Sequence, residues 1–381
     1  MAASFKSGAT QTSAPDVTLA TTLMERSDSE LDEPLRYQLS IGGVSIQVSA
    51  GRDIGGAFYP GHEPFTTDVR EPDLLIEVER LLDSSRISDR SLFDSGTTWR
   101  LYESQRGLCF EFGYPLSDTG PTRRMFVDRE FTRATLQVDC SLLSASAGRT
   151  PILAYPLDEL LIMHRLTQEK AIELHGTGIV RANGDANLFV GHSGAGKSTT
   201  TRLWTDVEDV EVLSDDRIIV RRDSEAAVVR TPGRAGSDAS GHGVPSAFTS
   251  GQALRLRDCP ASPTNLSAQD DSGSAASRNS NYPMRMYGTP WHGEAMFASP
   301  NSAPLTRIFV LEHGHGNVIT PLTPSHAVAE LFARSFVPFH RHEYVDSALV
   351  FLEELANSVP VYRYSFEPDQ RAVEKIRQFR D

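Results

Sequence analysis

The chain has few cysteines and no long apolar run. Its 381 residues include 3 cysteines, and the wide spacing and odd number of Cys109, Cys140 and Cys259 indicate neither a metal site nor a disulfide framework. Reduced thiols, typical of a cytoplasmic protein, are therefore expected. A membrane span would need about 18 consecutive apolar residues, and the sequence has no such run. We predict a cytoplasmic protein without a membrane partner.

Positive charge is also scarce. Lys and Arg number 37 against 50 Asp and Glu, which leaves a net charge of -13 at pH 7. An extended nucleic-acid surface requires clustered Lys and Arg, so no nucleic-acid partner is expected. The length suffices for two domains, each with its own core.

The sequence divides into three parts. Residues 1–34 are rich in Ser, Thr and Ala and end in an acidic run, which predicts a disordered tail. From Arg36, apolar and other residues alternate with period two on both sides of a Gly42-Gly43 turn, and several further strand candidates follow. A β-rich N-terminal domain is therefore predicted for residues 35–150. This domain shows no catalytic constellation, and its His62 is expected in a turn or at the surface.

Residues 151–381 predict a mixed domain, so the whole chain is assigned to the α+β or α/β class. A helix is expected from Leu157, with Asp158 and Glu159 favouring its dipole. Strands are expected at 171–174 and 178–181, and helices near 325–336, at 345–355 and from Asp369. Residues 224–281 are poor in large apolar side chains and predict a mobile insertion.

A phosphate-binding loop is the most informative motif. Residues 191–199 read G-H-S-G-A-G-K-S-T and match the pattern G-x-x-x-x-G-K-[ST] after an apolar strand. The backbone of this loop can curl around phosphate oxygens, Lys197 can reach the β- and γ-phosphates, and Ser198 can bind Mg²⁺. ATP and Mg²⁺ are the predicted cofactors. The predicted nucleotide-binding residues are Gly191, Ser193, Gly194, Ala195, Gly196, Lys197, Ser198 and Thr199.

Two acids and a histidine are candidates for the chemistry. Asp215 and Asp216 follow an apolar strand, and both can serve one site only if the backbone turns there. One would hold Mg²⁺ while the other accepts a proton, and crowding is expected to raise one of their pKa values. His175, at the expected end of the strand 171–174, either approaches the γ-phosphate or is structural.

The segment 288–294, G-T-P-W-H-G-E, follows another strand. Glu294 is a candidate second ligand for the metal or its water, and Thr289 or His292 can touch phosphate. The alternative is a packed turn anchored by Trp291.

Taken together, these motifs resemble a known family. The order of His175-Gly176, the phosphate loop and Ser214-Asp215-Asp216 is similar to the catalytic domain of bacterial HPr serine kinase/phosphorylase. The resemblance covers about residues 155–365 and is closest to the divergent branch in which G-T-P-W-x-G-E recurs. That family shares its core with ATP-dependent phosphoenolpyruvate carboxykinases.

The resemblance implies a P-loop kinase core and a set of roles. Lys197 and the loop would bind ATP, Ser198 and Asp216 would bind Mg²⁺, and Asp215 or Asp216 would be the acid/base for an acceptor hydroxyl. His175 would lie beside the transferred phosphate. The acceptor would be a serine of a protein or peptide, with some relatives acting on natural-product precursor peptides. The family also implies a possible homo-oligomer.

The sequence departs from the family at two points. Thr199 stands where the bifunctional enzymes usually carry glutamate, and their R-G-x-G signature is missing. Both departures imply loss of the phosphorylase reaction. Three readings remain open: a hydroxyl kinase, an ATP-binding regulatory module without catalysis, and an enzyme acting on a small molecule, including a carboxykinase-like one.

Overall fold

A computed structural model describes residues 34–380 apart from 53, 55, 84, 86, 88, 114–119, 140–150 and 224–282. The predicted insertion and nearly all of the predicted N-terminal tail lie outside the described residues. What is described is a mixed α+β fold with two large sheets, one of eight strands and one of ten.

The first sheet is built from the N-terminal part of the chain. Its order is β1-β2-β3-β8-β7-β6-β5-β4, with β3 parallel to β2 and β8 and the other pairs antiparallel. The strands are β1 (Leu35–Ile41), β2 (Val44–Ala50), β3 (Leu74–Arg80), β4 (Ser91–Asp94), β5 (Trp99–Ser104), β6 (Gly107–Phe112), β7 (Arg123–Val127) and β8 (Arg133–Val138). The Gly42-Gly43 hairpin is confirmed, since the φ angles of +59° and +79° at its two glycines belong to a region that other residues rarely adopt.

His62 does not lie at the surface. It belongs to a short 3-10 helix, Pro60–Phe65, and is fully buried, with Nε2 2.8 Å from Asp158 Oδ2. The expectation of a turn or surface position was wrong on burial, because the partner of His62 lies 96 residues further along the chain.

Helix α1 (Leu157–Leu166) confirms the predicted helix and joins the two sheets. Its apolar residues share one buried cluster with the first sheet, and Ala171, Ile219 and Trp291 from the C-terminal part also belong to that cluster. Asp158 and Glu159 lie in the first turn of the helix, as expected, and both are buried and bind side chains of other elements.

The second sheet follows the order β14-β13-β12-β9-β10-β15-β18-β16, with β11 and β17 also pairing with β9. Strands β10, β15 and β18 run parallel, and the other pairs are antiparallel. The strands are β9 (Ala171–Arg181), β10 (Ala186–Val190), β11 (Val210–Ser214), β12 (Arg217–Arg222), β13 (Met284–Tyr287), β14 (Ser302–Pro304), β15 (Arg307–His313), β16 (Val318–Pro321), β17 (Ser335–Phe336) and β18 (Val361–Phe366).

Helices cover both faces of this sheet. One apolar cluster includes side chains of α3 and α4, and another includes side chains of α2 and α5. The helices are α2 (Lys197–Thr205), α3 (Pro324–Phe332), α4 (His342–Ser358) and α5 (Gln370–Gln378). Over the ranges that the structure describes, no helix is both long and apolar enough to cross a bilayer.

Two expected element boundaries were wrong. The segments 171–174 and 178–181 form one continuous strand, β9, because Gly176 lacks a Cβ that would approach Phe189 O to 2.9 Å. His175 therefore lies in mid-strand and not at a strand end. The helix expected near 325–336 ends at Phe332, since Ser335 and Phe336 pair with β9.

Candidate functional site

The loop 191–196 lies at the carboxyl edge of three parallel strands. It follows β10, which pairs with β15, and β15 in turn pairs with β18. His313 and Phe366 end the two latter strands at this same edge. The carboxyl ends of parallel strands are the usual location of ligand sites in sheets flanked by helices.

Glycine is required at two positions of this loop. Gly194 and Gly196 have φ angles of +83° and +97°, and Gly196 caps the N-terminus of α2. A Cβ on Gly196 would lie 2.5 Å from the Phe366 ring, whereas one on Gly194 would meet nothing within 4 Å. The loop thus turns sharply into α2, with the helix N-terminus at its mouth.

Lys197 lies at the base of the loop. Its Nζ donates to the carbonyl oxygens of Gly191 (3.0 Å) and His192 (3.1 Å), and the residue is only 6% exposed. Burial lowers the pKa of Lys197 to about 8, although the charge of Asp216 opposes this shift. An anion in the loop would hold the ammonium in its charged form.

Helix α2 is fixed to the sheet by threonines. Thr201 Oγ1 lies 3.0 Å from Thr177 Oγ1 of β9, and Thr177 donates in turn to Ser214 O (2.9 Å). Ser198 and Thr199 are half-buried in the first turn of the helix. Ser193, Gly194 and Ala195 form the outer part of the loop, where the first two are exposed.

The backbone bends at Asp215 and Asp216. Strand β11 pairs with the second half of β9 and β12 with the first half, so the two aspartates interrupt one edge of that strand. This bend meets the condition under which two adjacent side chains can serve the same region. It also sends them to different partners.

Asp215 holds the neighbouring loop in place. Its carboxylate accepts backbone N–H groups from Gly293 (2.9 Å), Ala295 (2.7 Å) and Phe297 (3.2 Å). The residue is 1% exposed. Because the Asp215 carboxylate accepts three backbone N–H groups, it orders the segment 293–297. This role distinguishes Asp215 from Asp216.

Asp216 faces the histidine. Its Oδ1 lies 2.9 Å from His175 Nε2, and its Oδ2 accepts from Arg217. Burial raises the pKa of the Asp216 carboxyl, but the hydrogen bond from His175 and the charges of Arg217 and Lys197 outweigh it, and the pKa lies below its usual range. Crowding was expected to raise the pKa of one aspartate; at Asp216 the cationic neighbours reverse the sign.

His175 completes this pair. Burial lowers its pKa, and Lys197 and Arg217 add to the effect, although Asp216 opposes it. The neutral imidazole with a proton on Nε2 is therefore favoured next to an ionised Asp216.

Arg217 connects the pair to two buried acids that the sequence motifs did not indicate as site residues. Its Nε lies 2.7 Å from Glu159 Oε1 and 3.4 Å from Glu173 Oε1, and its guanidinium lies 4.1 Å from the centre of the Phe336 ring. Burial, followed by the charge of Glu159, holds the pKa of Glu173 well above its usual range. One signal was present in the sequence: Glu173 is the only charged residue in the apolar run Ala171–Leu174.

The segment 288–294 is a packed turn. Trp291 is 6% exposed and donates from Nε1 to Asp158 Oδ2 (3.0 Å), while the fully buried Thr289 donates to Arg217 O (2.8 Å). Thr289 is thus not available to a phosphate group. His292 is half-buried, with Nδ1 3.2 Å from Gly293 O.

Glu294 is an exposed neighbour of helix α2. Its side chain is 80% exposed and lies 3.8 Å from Arg202 of α2. Within the described ranges, no group of three or more His, Cys, Asp or Glu side chains is close enough to hold a metal ion. Mg²⁺ bound with a nucleotide takes most of its ligands from phosphate and water, so Ser198 and Asp216 can still contribute oxygen ligands to it.

When compared with models of known protein families and with curated proteins, this chain matches none.

Proposed function

We propose that this protein is an ATP- and Mg²⁺-dependent kinase of the HPr-kinase-like class that phosphorylates a hydroxyl, most simply a serine of a protein or peptide. One observation carries the proposal: the phosphate loop and Asp216 flank the same point of β9. Gly191 N donates to His175 O (3.2 Å), and Gly176 N donates to Asp216 O (3.1 Å). Two strand spacings, about 10 Å, therefore separate the start of the loop from the Asp216 backbone.

The chemistry follows from this arrangement. The loop amides and Lys197 bind the β- and γ-phosphates, and Asp216 faces the terminal phosphate from the next strand but one. The acceptor oxygen attacks the γ-phosphorus, the bond to the β–γ bridging oxygen breaks, and the hydroxyl proton passes to Asp216. His175 holds that carboxylate in position. Ser198 and the phosphate oxygens of the nucleotide would hold Mg²⁺, which would neutralise the charge of the transferred group.

The test is phosphate transfer by the full chain. Purified protein is incubated with Mg²⁺, γ-labelled ATP and the proteins and peptides encoded beside its gene. We expect Asp216→Asn to lower transfer at least 100-fold, in line with loss of a general base, while ATP still binds. Lys197→Ala should lose ATP binding. Asp346→Asn, an exposed aspartate on α4, serves as the matched control.

A regulatory module without catalysis is the second candidate. Both carboxylate oxygens of Asp216 already have partners, His175 and Arg217, as in a purely structural ion pair. Thr199 in place of the family's glutamate points the same way. Tight ATP binding together with no transfer to any tested acceptor would favour this candidate, and transfer at the wild-type rate by Asp216→Asn would rule out the assigned base.

A further inference from the structure

A cavity lies beside the phosphate loop on the side away from Asp216. Its volume is about 310 Å³, and it is lined by His313, Gly314, His315, Phe366, Glu367 and Pro368. These residues follow the carboxyl ends of β15 and β18, so the cavity shares the sheet edge on which the loop lies.

The order of the strands decides which part of a nucleotide can reach this cavity. In the sequence β9-β10-β15-β18, the loop follows β10, His175 lies on β9, and the cavity is formed after β15 and β18. A triphosphate whose terminal phosphate lies toward His175 and Asp216 can extend from the loop toward β15 and β18, where the cavity lies.

The ring of His313 is held in place at the edge of this cavity. Its Nε2 lies 2.7 Å from Gly194 O, and its ring stacks on Phe366 with centroids 5.8 Å apart and planes inclined by 26°. The loop therefore holds one edge of the ring, and Phe366 covers one face. His313 is exposed, so part of its ring surface is open to contact with an aromatic ligand.

The lining of the cavity is polar on one side and aromatic on the other. Glu367 lines it, and its carboxylate accepts from Gly316 N (3.2 Å) at one oxygen and from Arg371 (2.7 Å) at the other, so its charge is paired. The aromatic side, His313 stacked on Phe366, is the part of the lining that suits a nucleobase. We propose that this cavity binds the nucleoside of a nucleoside triphosphate, with the base stacked on His313, an inference that rests on the proposed function.

Calorimetry with two probes tests this inference. Wild-type protein, His313→Ala and His313→Phe are titrated with ATP and with inorganic tripolyphosphate, both in Mg²⁺. We expect His313→Ala to weaken ATP binding roughly tenfold, as for one lost base–aromatic stack, and to leave tripolyphosphate binding within about twofold. His313→Phe, which keeps a ring but loses the bond to Gly194, should retain most of the ATP affinity. His326→Ala, a histidine on α3 outside this cavity, is the control.

The alternative outcomes separate the two proposals. Equal weakening of both probes by His313→Ala would make His313 a clamp of the loop and overturn the nucleoside site. Unchanged ATP affinity in His313→Ala would overturn it as well. If wild-type protein bound neither probe, the phosphate loop itself would fail, and with it the proposed function.

Discussion

At the scale of single residues, the site depends on how a few buried charges are balanced. Arg217 lies among Asp216, Glu159 and Glu173, and burial alone would lower its pKa. The three acids outweigh that effect and hold the pKa of Arg217 above its usual range. The arginine thus stays charged, keeps Asp216 ionised and fixes its orientation next to His175.

Glu173 is the member of this group whose ionisation the fold opposes. Its pKa is raised above 4.5, so the folded state binds more protons than the unfolded state once the pH exceeds that value. Glu173 therefore contributes most to the stability of the fold at low pH, and this contribution is lost as the pH rises toward the folded pKa. Glu173→Gln removes this loss. We therefore expect the free energy of unfolding of the variant to rise relative to that of wild type by up to about 1.4 kcal/mol per pH unit above pH 4.5, until the folded pKa is reached.

Urea unfolding of both proteins between pH 4 and 8 measures this difference. Glu77→Gln, at an exposed position of β3, is the matched control and should run parallel to wild type. A constant gap between wild type and Glu173→Gln across the range would contradict a raised pKa.

At the scale of elements, the connection from β10 to α2 requires two glycines for different reasons. Gly196 needs both its left-handed φ and the space against Phe366, whereas Gly194 needs only the φ. Gly194→Ala should therefore cost only the strain, about 1–2 kcal/mol. Gly196→Ala adds a steric clash at the first turn of α2 and should cost more.

Thermal melts and ATP titrations of the two variants separate these costs. Gly196→Ala should lower the Tm further and weaken ATP binding more than tenfold, because displacing Phe366 or α2 moves the loop amides. Equal effects of the two substitutions would mean that contact with Phe366 does not shape the loop.

At the scale of the whole molecule, a buried link joins the two sheets through α1. Asp158 Oδ2 lies 2.8 Å from His62 Nε2 of the first sheet's 3-10 helix and 3.0 Å from Trp291 Nε1 of the segment after β13. Asp158→Ala leaves two buried donors without their acceptor, and we expect it to lower the free energy of unfolding by about 2–5 kcal/mol.

Guanidinium unfolding, followed by tryptophan fluorescence and by far-ultraviolet circular dichroism, tests this link. Wild type should unfold in one transition by both probes, since the apolar cluster around α1 draws residues from both parts of the chain. Asp158→Ala should shift both probes together. A shift in one probe alone would show that the two sheets unfold independently.

Much of the local structure followed from the sequence. The alternation around Gly42-Gly43 predicted the first hairpin, and the apolar spacing after Pro156 predicted α1. Both patterns depend on residues close together in the chain. The break expected between residues 174 and 178 was wrong. The strand continues through Gly176 because Phe189, which lies on another strand, approaches it closely.

The candidate site shows the same division. The pattern of residues 191–199 predicted a glycine-rich loop whose backbone can curl, and the φ angles of Gly194 and Gly196 in that loop are positive. It left open which aspartate meets His175. It also named Glu294 as a candidate metal ligand, which stays a prediction for a side chain that is 80% exposed and lies 3.8 Å from Arg202. Nucleotide binding and phosphate transfer stay predictions.

The sequence by itself determined the helices and most of the strands, because backbone preference and apolar periodicity act over a few neighbouring residues. Only the tertiary structure decided that Asp215 holds a loop while Asp216 faces His175, that Glu159 and Glu173 flank Arg217, and that His313 lies against Gly194. Those contacts depend on which strands lie side by side. The pairing of β9 with β12 and of β10 with β15 joins segments far apart in the chain, and it is settled by burial of the whole sheet.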